Sequence, residues 1–161
     1  MKNIISIPES ELQQQIDLRN FYMGESAKRK DMDADTIQSS KDDKDLLHMF
    51  IHTACNALVT AVALRFPSIS YTFDKDEELK IIFEFETGNG QRSHLLPTLQ
   101  RAITDFLVNE TIMQWLLVRR PNMAQTYISL RANLYSNVMT VFAQMYNSKR
   151  TRRRATDLAG I

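Results

Sequence analysis

His48 and His52 stand four residues apart in "HMFIH", so both imidazoles project from one face of a helix spanning them. That spacing can hold zinc, with Asp45 one turn earlier as a further ligand or as an orienting carboxylate. The H-E-x-x-H pattern of zinc proteases is not met, because Met49 and Phe50 occupy the positions of the glutamate and its neighbour. Cys55 falls on the apolar stripe of the same segment and His94 lies far along the chain, so the sequence offers no third ligand nearby. Two half-exposed polar residues on a helix boundary are the plainer reading, and no metal is expected.

A second candidate is "DMDADTIQSSKD", which places Asp31, Asp33 and Asp35 at positions 1, 3 and 5 of a calcium loop. It then departs from the pattern. Thr36 stands where the turn needs glycine, Gln38 where an apolar residue belongs, and Asp42 where a bidentate glutamate closes the site. A solvated acidic linker is the better reading. The chain has no Gly-x-Ser-x-Gly elbow, no glycine-rich phosphate loop and no suggestive Cys–His pair. No catalytic residue and no cofactor are assigned, and the expectation moves to a binding or structural role.

The remaining chemistry is charge. "NSKRTRRRATDLAGI" packs Lys149, Arg150, Arg152, Arg153 and Arg154 into six positions and then offers Leu158 and Ile161 as apolar pegs. Such a run can neutralise several phosphates in a salt-dependent way. It lacks the interleaved aromatics of a single-strand stacking platform. The net charge of +1 hides a polarity. Residues 1–90 carry 10 Lys/Arg against 16 Asp/Glu, a net of −6, and residues 91–161 carry 10 against 3, a net of +7. The same cations therefore suit an acidic protein surface as well as DNA.

A length of 161 residues fits one domain, read here as 1–147, followed by a basic arm at 148–161. Four glycines and four prolines disfavour a turn-rich β fold. The single cysteine, Cys55, excludes an internal disulfide. The apolar run in "MKNIISIPESEL" is short for a signal peptide, and no apolar run is read as approaching the ~18 residues of a membrane span. A cytoplasmic location, or a virion assembled in a host cytoplasm, is expected.

Element by element, residues 8–22 read as a short N-terminal helix with Pro8 in its first turn, and 23–45 as a polar connector. Residues 42–66 form a strong helix with acidic residues leading and Pro67 stopping it. Its stripe is Leu47, Phe50, Ile51, Ala54, Leu58, Ala61 and Val62. The period then changes to two: Ile69, Tyr71 and Phe73, then Leu79, Ile81, Phe83 and Phe85, predict one β-hairpin at about 68–86. Two long helices close the chain, 95–119 with a point of kinking near Asn109, and 121–147 opened by Pro121. The last carries two apolar faces. Met123, Tyr127, Leu130, Leu134, Val138, Val141 and Met145 make a heptad-like seam. Ile128, Tyr135, Met139, Phe142 and Tyr146 lie beside it. One broad core face is the plainer account. The alternative makes the second set, with Tyr71 and Phe83 of the hairpin, an oligomer interface.

The predicted fold is thus mainly α: a bundle of three longer helices and a short N-terminal one, an inserted hairpin and an extended basic arm. This arrangement resembles the ring-forming adaptor and neck proteins at the head–tail junction of tailed bacteriophages. The features that carry the likeness are the helices at 42–66, 95–119 and 121–147, the hairpin at 68–86 and the arm at 148–161. The resemblance is architectural, and no residue motif is matched. It implies a non-enzymatic protomer of a homo-oligomeric ring. The arm would dock on a neighbouring structural protein such as a portal or tail component, with DNA as a further non-specific contact. A small nucleic-acid-binding or regulatory protein using the basic half is the alternative.

Overall fold

The computed structural model describes residues 2–28, 38–76, 78–87 and 92–146. The chain opens with a strand, β1 (Lys2–Pro8). Asn3, Ile5 and Ile7 point inward while Lys2, Ile4 and Ser6 face out, the period-two pattern of a half-buried strand. β1 pairs antiparallel with β3 (Lys80–Glu86), from Lys2 opposite Glu86 to Pro8 opposite Lys80. β2 (Ser70–Asp74) pairs antiparallel with the other edge of β3, so the order is β1-β3-β2. The expected hairpin is therefore two strands of a three-stranded sheet. This corrects the two-stranded reading and removes its physical difficulty, since an isolated hairpin is marginal in water.

Helix α1 (Glu9–Lys28) follows β1 without a linker. The Glu9 amide donates to the Leu79 carbonyl at 2.9 Å, fixing the corner where strand becomes helix. The helix is 20 residues long, against the 8–22 expected, and Pro8 ends the strand rather than opening the helix. Its buried stripe runs Leu12, Ile16, Asn20, Gly24 and Ala27. Only its first half is apolar, which is why the hydrophobic signal fades at residue 18. Gly24 belongs to the packing: a Cβ there would lie 2.6 Å from Cγ of Gln38.

Helices α2 (Lys44–Ala63), α3 (Leu96–Arg119) and α4 (Pro121–Tyr146) match their expected segments closely. α3 is the axis of the fold. Every residue from Phe106 to Met113 is buried, because α1, α2 and α4 all pack against it. α3 is unbroken through Asn109, whose Nδ2 donates to the Tyr127 carbonyl at 3.1 Å and so satisfies a polar group in the core. Arg120 alone joins α3 to α4. The second half of α4 closes over the sheet, where Phe142 stacks on Phe66 and meets Phe85 edge-on. All seven elements contribute to one hydrophobic cluster.

Helix α2 also modifies an expectation. From Leu46 to Leu64 it has no Asp, Glu, Lys or Arg. The helical stretch Lys41–Ala63 is long and apolar enough to cross a membrane, with a mean hydropathy of 1.5. One face of it, with Leu47, Ile51, Ala54, Leu58 and Val62, is buried in the core, and 39% of the apolar window is buried.

Candidate interaction surface

The histidine pair sits where α2 meets the start of α1 and the sheet. His48 Nδ1 lies 2.8 Å from Oε2 and 2.9 Å from Oε1 of Glu9, a carboxylate only 3% exposed. Gln13 Nε2 donates to Glu9 Oε1 at 2.9 Å. His52 stacks on Phe73 at 5.2 Å and meets Tyr71 edge-on. Glu9, 39 residues earlier in the chain, is the partner that the sequence spacing did not reveal. Asp45 is exposed at the start of α2. Among the described residues, no three His, Cys, Asp or Glu side chains are grouped closely enough to hold a metal ion. Cys55 is buried, and burial, with the Glu9 carboxylate adding to it, pushes its thiol well above the usual range. A thiol held in that state is a poor nucleophile. The acidic segment that resembles a calcium loop falls mostly at 29–37, outside the described residues.

The second set of α4 residues divides. Phe142 is fully buried and Met139 nearly so, both within the protomer core. Tyr146 packs on Phe66 at 4.5 Å, with its hydroxyl 3.0 Å from Ser68. Phe83 is fully buried under the sheet, and Tyr71 is half-buried against it and His52. The three-stranded sheet supplies the cover that a bare hairpin lacked, so these side chains are satisfied internally. Lys149, Arg150, Arg152, Arg153, Arg154, Leu158 and Ile161 lie outside the described residues.

Ile128 and Tyr135 remain at the surface, and they are brought together. The first half of α4 and the middle of α2 stand apart on either side of α3. Between them is an open groove of about 400 Å³. Phe106 of α3, Ala57 and Ala61 of α2, and Ile128, Ala132 and Tyr135 of α4 line it. Tyr135 Oη donates across the groove to the Ala61 carbonyl at 3.3 Å. The alanines leave room at the walls. Arg131 is on the rim, with Nε 2.9 Å from Oε2 of the buried Glu110. It is the only charged residue in the 26 of α4. Both walls of the groove are therefore nearly free of charge, although Ile128, Leu130 and Leu64 are exposed. Depletion of charge around an apolar centre distinguishes interaction surfaces from ordinary solvated ones.

A second exposed apolar group lies on α1. Leu18, Phe21 and Tyr22 are 53%, 49% and 64% exposed, and the two rings meet edge-to-face at 5.9 Å. Their i, i+3, i+4 spacing puts all three on one face.

No family model, no curated protein and no solved structure matches this chain. The surface has to be read from its own chemistry.

Proposed function

We propose that this chain is a non-enzymatic assembly protein. It acts as a protomer of an oligomeric ring of the head–tail connector kind, and its basic C-terminal arm straps it to a neighbouring structural protein. The observation that carries this reading is the charge-depleted groove between α2 and α4. A surface helix of 26 residues with one charge, half of it uncovered, suits a molecule that completes its burial against another protein. The polarity of the chain, −6 over 1–90 and +7 over 91–161, favours head-to-tail contacts, which close into rings.

The oligomeric state of the full chain, read by native mass spectrometry and electron microscopy, tests the reading. Rings, or protomers that assemble with rising concentration, are expected. A chain that stays monomeric at all concentrations would count against it. The nucleic-acid alternative rests on five cations within six residues. Its test is DNA affinity against salt, with Arg152, Arg153 and Arg154 changed to alanine together. A steep salt slope that collapses in this variant would favour DNA over protein as the arm's target.

A further inference from the structure

We infer that the outer edge of β2 and the exposed face of α2 beside it form one two-fold contact with a second copy of this chain. This goes beyond the ring reading and does not rest on it, because an isologous contact is complete in a pair. The two edges of the sheet differ. The β1 edge is protected, with Lys2 at one end, Pro8 at the other and Gln100 Nε2 donating to the Ser6 carbonyl at 3.5 Å. β2 has none of these devices. Ser70, Tyr71, Thr72 and Phe73 carry no charge, no proline interrupts the strand, and its register on β3 is unbroken. Among the described residues, no strand pairs with its outer side. Edges that stay in solvent are normally blunted by charge, proline or a bulge.

Helix α2 lies over this open edge. His52 stacks on Phe73 and meets Tyr71 edge-on, while the core side of the helix packs on α3. The face opposite α3 therefore points past β2. Met49, His52, Thr53, Asn56 and Thr60 are exposed on it, at the spacing of one helical face. From Leu46 to Leu64 no charged side chain interrupts it. A strand from an unrelated chain would pair the edge and leave this face bare. A second copy brings an edge and an α2 in the same relation, so it covers both.

The sequence of β2 complements itself at one register. Antiparallel partners share a face of the sheet, so Tyr71 and Phe73, which face α2, must oppose inward residues of the copy. Centring the pair on Thr72 achieves this with all five residues of the strand. Ser70 then opposes Asp74, Tyr71 opposes Phe73, and Thr72 meets the same residue of the copy. Continuing the register puts Lys75 opposite Ile69 and Asp76 opposite Ser68, so no like charges meet. Two three-stranded sheets join into one of six strands, and α2 packs along its own symmetry mate. An edge of five residues falls short of the roughly 1,200–2,000 Å² of a stable interface, and the α2 face adds the area it lacks.

The experiment uses the full chain. Sedimentation velocity should show a dimer forming as concentration rises to about 1 mM. Thr72 and Thr53 are exposed, so Thr72→Lys and Thr53→Lys should fold, which far-UV circular dichroism checks. Each sets like charges against each other across the two-fold axis and should weaken the dimer at least roughly 30-fold. Disulfide capture reads the register. With oxidised glutathione, Thr72→Cys should give a covalent dimer on a non-reducing gel. Ser70→Cys, equally exposed, should not, because it lies about 13 Å along the strand from its own mate. A dimer that keeps its affinity in both lysine variants would overturn the inference. So would equal capture of the two cysteine variants, or a wild type that stays monomeric. Weakening by one lysine variant alone would break the claim that edge and helix act as one surface. Rings that persist in Thr72→Lys would overturn this contact and leave the ring reading standing. A wild-type dimer that grows no further, captured through Thr72→Cys, supports this contact and counts against the ring.

Discussion

At the scale of single residues, the buried polar groups set the pH dependence and the weak points of the core. Burial holds the Glu110 carboxyl above its ordinary value of 4.5, and the adjacent Arg131 offsets only part of the effect. The folded state thus binds its proton more tightly than the unfolded chain does. Stability contributed by the neutral acid is complete below the unfolded value and declines as pH rises through the folded one. Glu110→Gln, which cannot titrate, should flatten that decline in urea midpoints measured from pH 4 to 8. Asp43 has the opposite sign. Its carboxylate loses some solvation, but it accepts from the Ser40 amide and hydroxyl and faces Arg119, and the net effect lowers its value below 3.8. That contribution is present above the ordinary carboxylate range and is lost as pH falls through the folded value. Asn20 is fully buried, and neither amide atom has a hydrogen-bond partner among the described residues. Asn20→Leu should therefore raise stability by about 1–2 kcal/mol in chemical denaturation. Phe142→Ala should cost about 3–5 kcal/mol in the same measurement, because it empties the junction between α4 and the sheet. The sequence could not separate Phe142 and Met139, which are buried, from Ile128 and Tyr135, which remain at the surface. All four lie on one face of α4, and only tertiary packing distinguishes them.

At the scale of elements, the three longer helices were legible because their stripes have the helical period and Pro67 and Pro121 bound them. The alternation in β2 and β3 was equally plain. β1 was not, because the exposed Ile4 and the buried Asn3 both break the contrast between inward and outward positions in "NIISIP". The far half of α1 hid for the opposite reason: its buried positions are Asn20, Gly24 and Ala27, which carry little hydrophobic signal. β1 matters to the sheet out of proportion to its length. It covers one edge of β3 and brings Ile5 and Ile7 into the core, while Asn3 Nδ2 donates to Thr87 Oγ1 at 2.9 Å. Removing residues 1–8 should leave a β3 edge open to pairing with other chains, seen as aggregation in light scattering. Ile7→Ala alone should cost about 2–4 kcal/mol.

At the scale of the whole molecule, the charge polarity and the basic arm were readable from composition, whereas the groove was not. The groove exists because α2 and α4 splay around α3, and no local pattern encodes the distance between two helices. Of its alanines, Ala61 read as part of the core stripe of α2, and Ala57 and Ala132 carried no signal of their own. Deleting 148–161 should leave the helical circular-dichroism spectrum and the melting temperature close to those of the full chain, because the hydrophobic cluster is already assembled from the described residues up to Tyr146. It should abolish docking on an acidic partner surface, measured by co-sedimentation. Normal docking by the truncated chain would remove the strap from the account.

The pairing of β1 with β3 also sets a schedule. Asn3 and Thr87 meet across 84 positions of sequence. At about 5–20 residues per second, a ribosome needs roughly 4–17 s to make the strand that β1 waits for. During that interval Ile5 and Ile7 have no sheet to join. β1, made before the other described elements, is thus among the last parts of the core to settle, and loop closure over such a span slows folding. A nascent chain arrested before residue 80 should remain sensitive to protease at its start, and one arrested well beyond residue 120 should not.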